Sequence, residues 1–341
     1  LKSTHPPVSN AATHAADLRF IAALLFCYLC AIVWDHSGWW LLDEEYRFGF
    51  LIPCFSAYVI FERWPRIRNI LSGEGSPGAP VRQGRCSEAI AWICEALLMG
   101  MSLSAMGLFV MGALIRLAEG GRSVPSSLIF AAGFTLLLLS LPPLLLRKDP
   151  QGRTIPVNRR LELIPQLLFP ATIWLLSSPP PGFVKQEIKL FLLNKVVTVV
   201  HGLFELFGHP LILEGNTFLL PEGRVGVADA CSGIRSLTGC LVTGAFIAAV
   251  SCKSWPSRIF ILTASILLAV LGNLARSLFL TIHAYLHGPQ AIEGWVHDAS
   301  GYAVLVVTAI GLWLLTLLLG LADRDWSTYL KDIPQEKDDS R

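Results

Sequence analysis

Charge is what this sequence has least of. Only 15% of its 341 residues are Asp, Glu, Lys or Arg, against about a quarter in ordinary soluble domains. That scarcity excludes a water-facing surface over most of the chain. With 53% hydrophobic residues and a mean hydropathy of +0.55, it points to a polytopic membrane protein. The formal net charge of +2 carries little weight, because the distribution of Lys and Arg matters more than their sum. Glycine-rich phosphate loops and nucleic-acid signatures are missing, so no nucleic-acid partner is expected. There is no inverted repeat or pair of broken helices, which transporters often show. No signal peptide with a small-residue cleavage site is read before Arg19.

The eight cysteines show no disulfide framework. Cys27, Cys30, Cys54, Cys94 and Cys240 fall in apolar runs, where a thiol behaves as a small hydrophobe. Cys27-x-x-Cys30 has redox or zinc spacing but lies mid-helix without His or Asp partners, and reads as packing. Cys86 and Cys252 lie near polar loops without an evident partner. A His/Cys zinc site lacks a second ligand at regular spacing. No metal and no other cofactor is expected.

Long apolar runs are what the chain does have. They predict about eight membrane helices, near 19–35, 48–62, 89–115, 125–146, 161–178, 231–251, 258–282 and 299–321. A loose tail (1–18) precedes this membrane domain (19–322), and a charged tail (323–341) follows it. Asp35 and the tryptophans Trp39 and Trp40 read as a loop at the headgroup level. Residues 179–230 interrupt the pattern. Lys185 to Phe207 reads as an amphipathic helix, with Ile188, Phe191, Leu192, Val196 and Val199 among lysines. Leu211 to Val227 reads as short strands forming a hairpin, with turns at Glu214-Gly215-Asn216 and Pro221-Glu222-Gly223. The fold class is therefore an all-α membrane bundle with a small helix-plus-hairpin insertion.

Basic residues orient the bundle. Arg63, Arg66, Arg68, Arg82 and Arg85 follow the second run; Arg147, Lys148, Arg153, Arg159 and Arg160 follow the fourth; Lys253 and Arg258 follow the sixth. Arg116 and Arg122 count the other way and are outnumbered. The positive-inside rule puts both termini in the cytoplasm and 179–230 outside.

In that orientation three chemically capable residues share the outer face. Cys231 opens the sixth run within Ala228-Asp229-Ala230-Cys231-Ser232-Gly233-Ile234-Arg235. A helix N-terminus lowers a thiol's pKa and offers N–H groups to an oxyanion. Asp229 or Ser232 can cap the helix, and Gly233 admits a close backbone approach. Arg276 lies inside the seventh run, about 10 Å below its outer end. An intramembrane arginine faces a partner or a cavity, so it is either an oxyanion stabiliser, an ion-pair member with Asp298 or Asp229, or a snorkelling side chain. Asn273 shares its helix face. His297, at the mouth of the last run, is the candidate base, in competition with His283 and His287. Arg235 sits four residues after Cys231 and could bind a carboxylate or phosphate. Cys231, Arg276 and His297 make the candidate catalytic set; Arg235, Asn273, Ser232 and Gly233 make the candidate substrate-binding set.

At these residues the sequence resembles the exosortase/archaeosortase family, over most of Trp39 to Leu319. The family pattern is a cysteine in A-C-S-G-x-R, an arginine in N-x-x-R and, in the bacterial exosortase branch, a downstream histidine. Carried over, these fall on Cys231, Arg276 and His297. One motif departs: the family's early Tyr-x-His-Gly-Phe-Leu reads Tyr46-Arg47-Phe48-Gly49-Phe50-Leu51 here. The resemblance implies a cysteine protease and transpeptidase of the bacterial inner membrane. Its substrates would be exported proteins with a C-terminal motif, a hydrophobic span and a basic tail. The acyl group would pass to an acceptor nucleophile, in a setting often linked to exopolysaccharide production. The rival reading is a transporter or scaffold for a lipid-linked glycan or anion, in which Cys231 is no nucleophile.

Overall fold

The computed structural model describes residues 9–72, 85–209, 211–215, 217–220, 223–226, 233–252 and 254–331. The chain divides into two compact units, Leu1–Lys185 and Gln186–Arg341. Six helical stretches are long and apolar enough to cross a membrane: Ala16–Leu42, Glu88–Ala118, Val124–Leu145, Ile234–Ser251, Trp255–His287 and Trp295–Gly320. Large apolar side chains along them, such as Phe26, Leu103 and Val306, stand exposed, which suits lipid rather than water.

The first unit holds α1 (Ser9–Leu42), a 3-10 helix (Glu44–Phe50), α2 (Leu51–Ser72), α3 (Arg85–Ala118), α4 (Val124–Leu145), α5 (Val157–Leu161), α6 (Leu163–Thr172) and a 3-10 turn (Ile173–Leu176). Helix α1 starts ten residues before the expected span and runs past its end, so part of the expected loose tail is helical. Asp35, Trp39 and Trp40 belong to this helix, not to a loop. Trp40 is buried and its indole N–H donates to the Ser177 carbonyl at 2.8 Å, so it does not sit among headgroups.

The expected spans at 48–62 and 161–178 are outside the set of six, for physical reasons. Helix α2 carries Glu62, Arg63, Arg66 and Arg68 in its second half, and α6 contains Pro170 and tightens to 3-10 geometry at Ile173. The two helices solve each other's problem. Pro170 has no N–H, which leaves the Gln166 carbonyl without its helical donor. The buried Arg63 guanidinium donates to that oxygen at 2.8 Å and to the Pro165 carbonyl at 3.2 Å. One end further on, Ser56 donates to the Pro170 carbonyl at 2.9 Å. Helices α2 and α6 thus run antiparallel. Arg160, also buried, donates to the Pro143 and Leu144 carbonyls at the C-terminus of α4 and pairs with Glu95. These acceptors are the orphan carbonyls of a helix end. Arg63, Arg147 and Arg160 therefore gather at one end of the unit.

At the opposite end sits a buried polar clasp. Asp35 pairs with Arg116 and accepts from the Ser127 hydroxyl. Arg122 Nε donates to the Asp35 carbonyl at 2.6 Å, His36 Nε2 lies 3.1 Å from the Ser127 carbonyl, and Trp39 donates to Ser127 Oγ at 2.9 Å. Gly38 makes the clasp possible: a Cβ there would overlap the Arg122 guanidinium.

The second unit contains most of α7 (Gly182–Leu206), then β1 (Ile212–Glu214), β2 (Thr217–Leu220), β3 (Gly223–Gly226), α8 (Ile234–Ser251), α9 (Trp255–His287), a 3-10 turn (Pro289–Ile292) and α10 (Trp295–Lys331). The expected hairpin is a three-stranded antiparallel sheet in the order β1-β2-β3. The inward face of α7 is Leu193, Val196, Val197, Val200 and Phe204, at helical spacing. It packs with Phe218, Leu220 and Val225 of the sheet and Leu280 and Ala284 of α9. Phe191 and Val199 face outward. Helices α8, α9 and α10 pack on one another through small residues. A Cβ at Gly272 would lie 2.7 Å from Val304, and one at Gly244 would overlap Ser265. Close backbone approach of this kind is how membrane helices associate.

Candidate functional site

The buried face of α9 is a ladder at four-residue spacing: Ser265, Ala269, Asn273, Ser277 and Thr281. Asn273 is 2% exposed. Ser277 and Thr281 bond back to the carbonyls four residues earlier, so they need no water in the packed interface. Arg276 is one step off this ladder. It faces α10 and is half-buried.

There it meets the first turn of α10. Arg276 Nη2 contacts His297 Nε2 at 3.0 Å and donates to the His297 carbonyl at 3.1 Å, while its Nε donates to Ser300 Oγ at 3.0 Å. Ser300 Oγ donates to the His297 carbonyl at 2.8 Å. Asp298 Oδ1 stands 3.7 Å from His297 Nδ1. So the two residues read as oxyanion stabiliser and base touch each other. Asp298, one of the two carboxylates considered for Arg276, lies beside the histidine instead.

The start of α8 arrives next to them. Gly233 caps that helix with φ of +64°, a left-handed conformation that side chains rarely tolerate. It is buried, and a Cβ there would lie 2.8 Å from the Asn273 amide nitrogen and 3.2 Å from Leu192. Gly233 thus sits on Asn273, three residues before Arg276 on the same helix. Arg235 is half-buried in the first turn of α8. Cys231, Ser232 and Asp229 lie outside the described residues.

His283 and His287 form a separate pair. Their rings are 4.5 Å apart, and His283 stacks on Phe279. They stand about 10 Å or more along α9 from Arg276, which contacts His297. Among the described residues no three His, Cys, Asp or Glu side chains gather as a metal site. Cys27, Cys30 and Cys54 are exposed rather than packed, and Cys240 and Cys252 are buried; none of these five is in a disulfide.

With this geometry in view, the comparisons with known proteins fall into place. The family model for the transmembrane exosortase matches residues 161–314. Over those residues the chain is similar to the transmembrane exosortase family. No curated protein and no solved structure matches the chain. The matched region takes in Cys231, Gly233, Arg235, Asn273, Arg276, His297 and Ser300, and it leaves out Tyr46–Leu51. That earlier motif has a packing role of its own. Tyr46 is buried in the 3-10 helix, where burial, with Glu45 and Asp43 nearby, pushes its phenol up, and Gly49 lies against the Trp40 ring. Ser300 is the site member that reading the sequence missed. Its signal was the i to i+3 spacing from His297 on a helix that begins at Trp295.

Proposed function

We propose that this exosortase-family protein is a membrane-embedded cysteine peptidase and transpeptidase. It acts on exported proteins with a C-terminal motif, a hydrophobic span and a basic tail. Cys231 is the nucleophile. Its proton passes to His297 as the thiolate adds to the scissile carbonyl carbon. The oxyanion meets the Arg276 guanidinium and the N–H groups opening α8. Collapse breaks the C–N bond, and the proton moves from the imidazolium to the leaving amine. An acceptor nucleophile or water then opens the thioester. Asn273, Arg235, Ser232 and Gly233 line the approach.

The observation that carries this reading is the direct Arg276–His297 contact. It is joined by Gly233, two residues after Cys231, resting on Asn273 one helical turn from Arg276. The membrane is the bacterial inner membrane, with both termini cytoplasmic and the site outside. The gathering of Arg63, Arg147 and Arg160 at one end of the first unit supports a cytoplasmic placement of that end.

The test is co-expression of the wild type and Cys231→Ala with a substrate candidate from the same genome, followed by intact mass. Loss of the substrate's tail only with the wild type is expected, and added mass identifies the acceptor. Equal processing by both proteins overturns the reading.

A further inference from the structure

Arginine only donates hydrogen bonds. The 3.0 Å contact from Arg276 Nη2 to His297 Nε2 therefore requires a lone pair on Nε2, so the neutral ring carries its proton on Nδ1. The Asp298 carboxylate at 3.7 Å from Nδ1 is too far for a direct hydrogen bond, yet its charge favours a proton there. Ser300 closes the array. Its hydroxyl accepts from Arg276 Nε and donates to the His297 carbonyl at the same time, which a hydroxyl can do. Gly301 leaves room beside it: a Cβ there would only touch the guanidinium carbon, at 3.7 Å.

We infer that Ser300 is a positioning residue for the reaction. It anchors Arg276 through Nε and so holds His297 with its proton on Nδ1 and its Nε2 lone pair under the guanidinium. This inference rests on the peptidase reading above and deepens it. The lone pair that would receive the Cys231 proton is covered at rest. The group covering it is the one a substrate's carbonyl oxygen attracts. As that oxygen enters, Nη2 turns from the ring toward it while Nε keeps its hold on Ser300. The base is then uncovered by the substrate itself.

The experiment is 15N NMR of the full chain in lipid nanodiscs, with histidine labelled and His297→Gln used to assign the signal. At pH 8 wild-type His297 should show a protonated Nδ1 and an unprotonated, hydrogen-bonded Nε2. Ser300→Ala should shift Nε2 toward the free value or move the proton onto it. Ser300→Thr, which keeps the hydroxyl, should give the wild-type spectrum. Asp298→Asn should weaken the Nδ1–H preference less than Ser300→Ala does. A proton on Nε2 in the wild type, or an unchanged spectrum in Ser300→Ala, would overturn the inference. Cys231 takes no part in this readout. Processing by Cys231→Ala would therefore remove the peptidase reading without touching the spectrum, and a failed spectrum would leave the peptidase reading standing.

Discussion

Two arginine clusters, one in each unit, use the same residue to opposite ends. In the first unit Arg116 meets the buried Asp35 carboxylate, and Arg122 holds that residue's carbonyl. Asp35 is 1% exposed and accepts from Ser127 as well. Here opposite charges cancel inside a packed junction of α1, α3 and α4. In the second unit the contacts described for Arg276 are a histidine nitrogen, a serine hydroxyl and a carbonyl. Those partners orient the guanidinium beside the His297 ring. A buried pair whose charges cancel ties helices together; an oriented, half-exposed cation suits stabilising a charge that appears only during a reaction.

The sharpest way to break this comparison is to remove one member of each cluster. Asp35→Ala strands a buried guanidinium and should destabilise the detergent-solubilised protein by about 3–5 kcal/mol, read as a fall in unfolding temperature. Arg276→Gln should cost only about 1–2 kcal/mol but slow substrate processing by about 100-fold or more. If the two variants lost stability equally, the distinction would be wrong. Replacing both charges of the clasp, as Asp35→Asn with Arg116→Met, should recover most of the stability lost in Asp35→Ala.

Two glycines sharpen it further. Gly38→Ala forces the Arg122 guanidinium aside, and about 1–3 kcal/mol of lost stability with processing intact is expected. Gly233→Ala adds left-handed strain to a clash with Asn273. It should cost a similar amount, about 1–3 kcal/mol, and also impair processing. The smallest effect concerns pH in the first unit's loop. Burial alone would raise the Asp149 carboxyl, but hydrogen bonds from the Arg153 side chain and backbone hold it below its ordinary value. Its contribution is present above the unfolded pKa of about 3.9 and is lost as pH falls through the lower folded value. Asp149→Asn should flatten the acid side of a stability–pH curve slightly and leave neutral-pH processing unchanged.

Which features could be read from the sequence follows from the range of the forces involved. Six spans announce themselves because an apolar run needs no partner to be recognised. The runs at 48–62 and 161–178 read as spans too, but how they meet does not, because the Arg63 guanidinium reaches the Gln166 carbonyl that Pro170 leaves without a helical donor across 103 residues. Asp35 reads as a loop residue for the same reason: its partners Arg116 and Ser127 are 81 and 92 residues away. The third strand, Gly223–Gly226, is too short and glycine-rich to carry an alternating pattern. At the site, Arg276 and His297 were legible because a lone cation in an apolar run demands explanation. Ser300 was not, since a serine in a helix is ordinary until a donor faces it.

The pairing of Arg63 with the carbonyls of α6 also sets a timetable. Synthesis proceeds at roughly 5–20 residues per second, and 102 residues separate Arg63 from Pro165. The guanidinium must therefore wait roughly 5–20 s after its own synthesis before its acceptors exist. During that interval the Pro165 and Gln166 carbonyls cannot hold the guanidinium. A ribosome paused between these segments would leave α2 without those acceptors, and α6 is the element whose arrival supplies them.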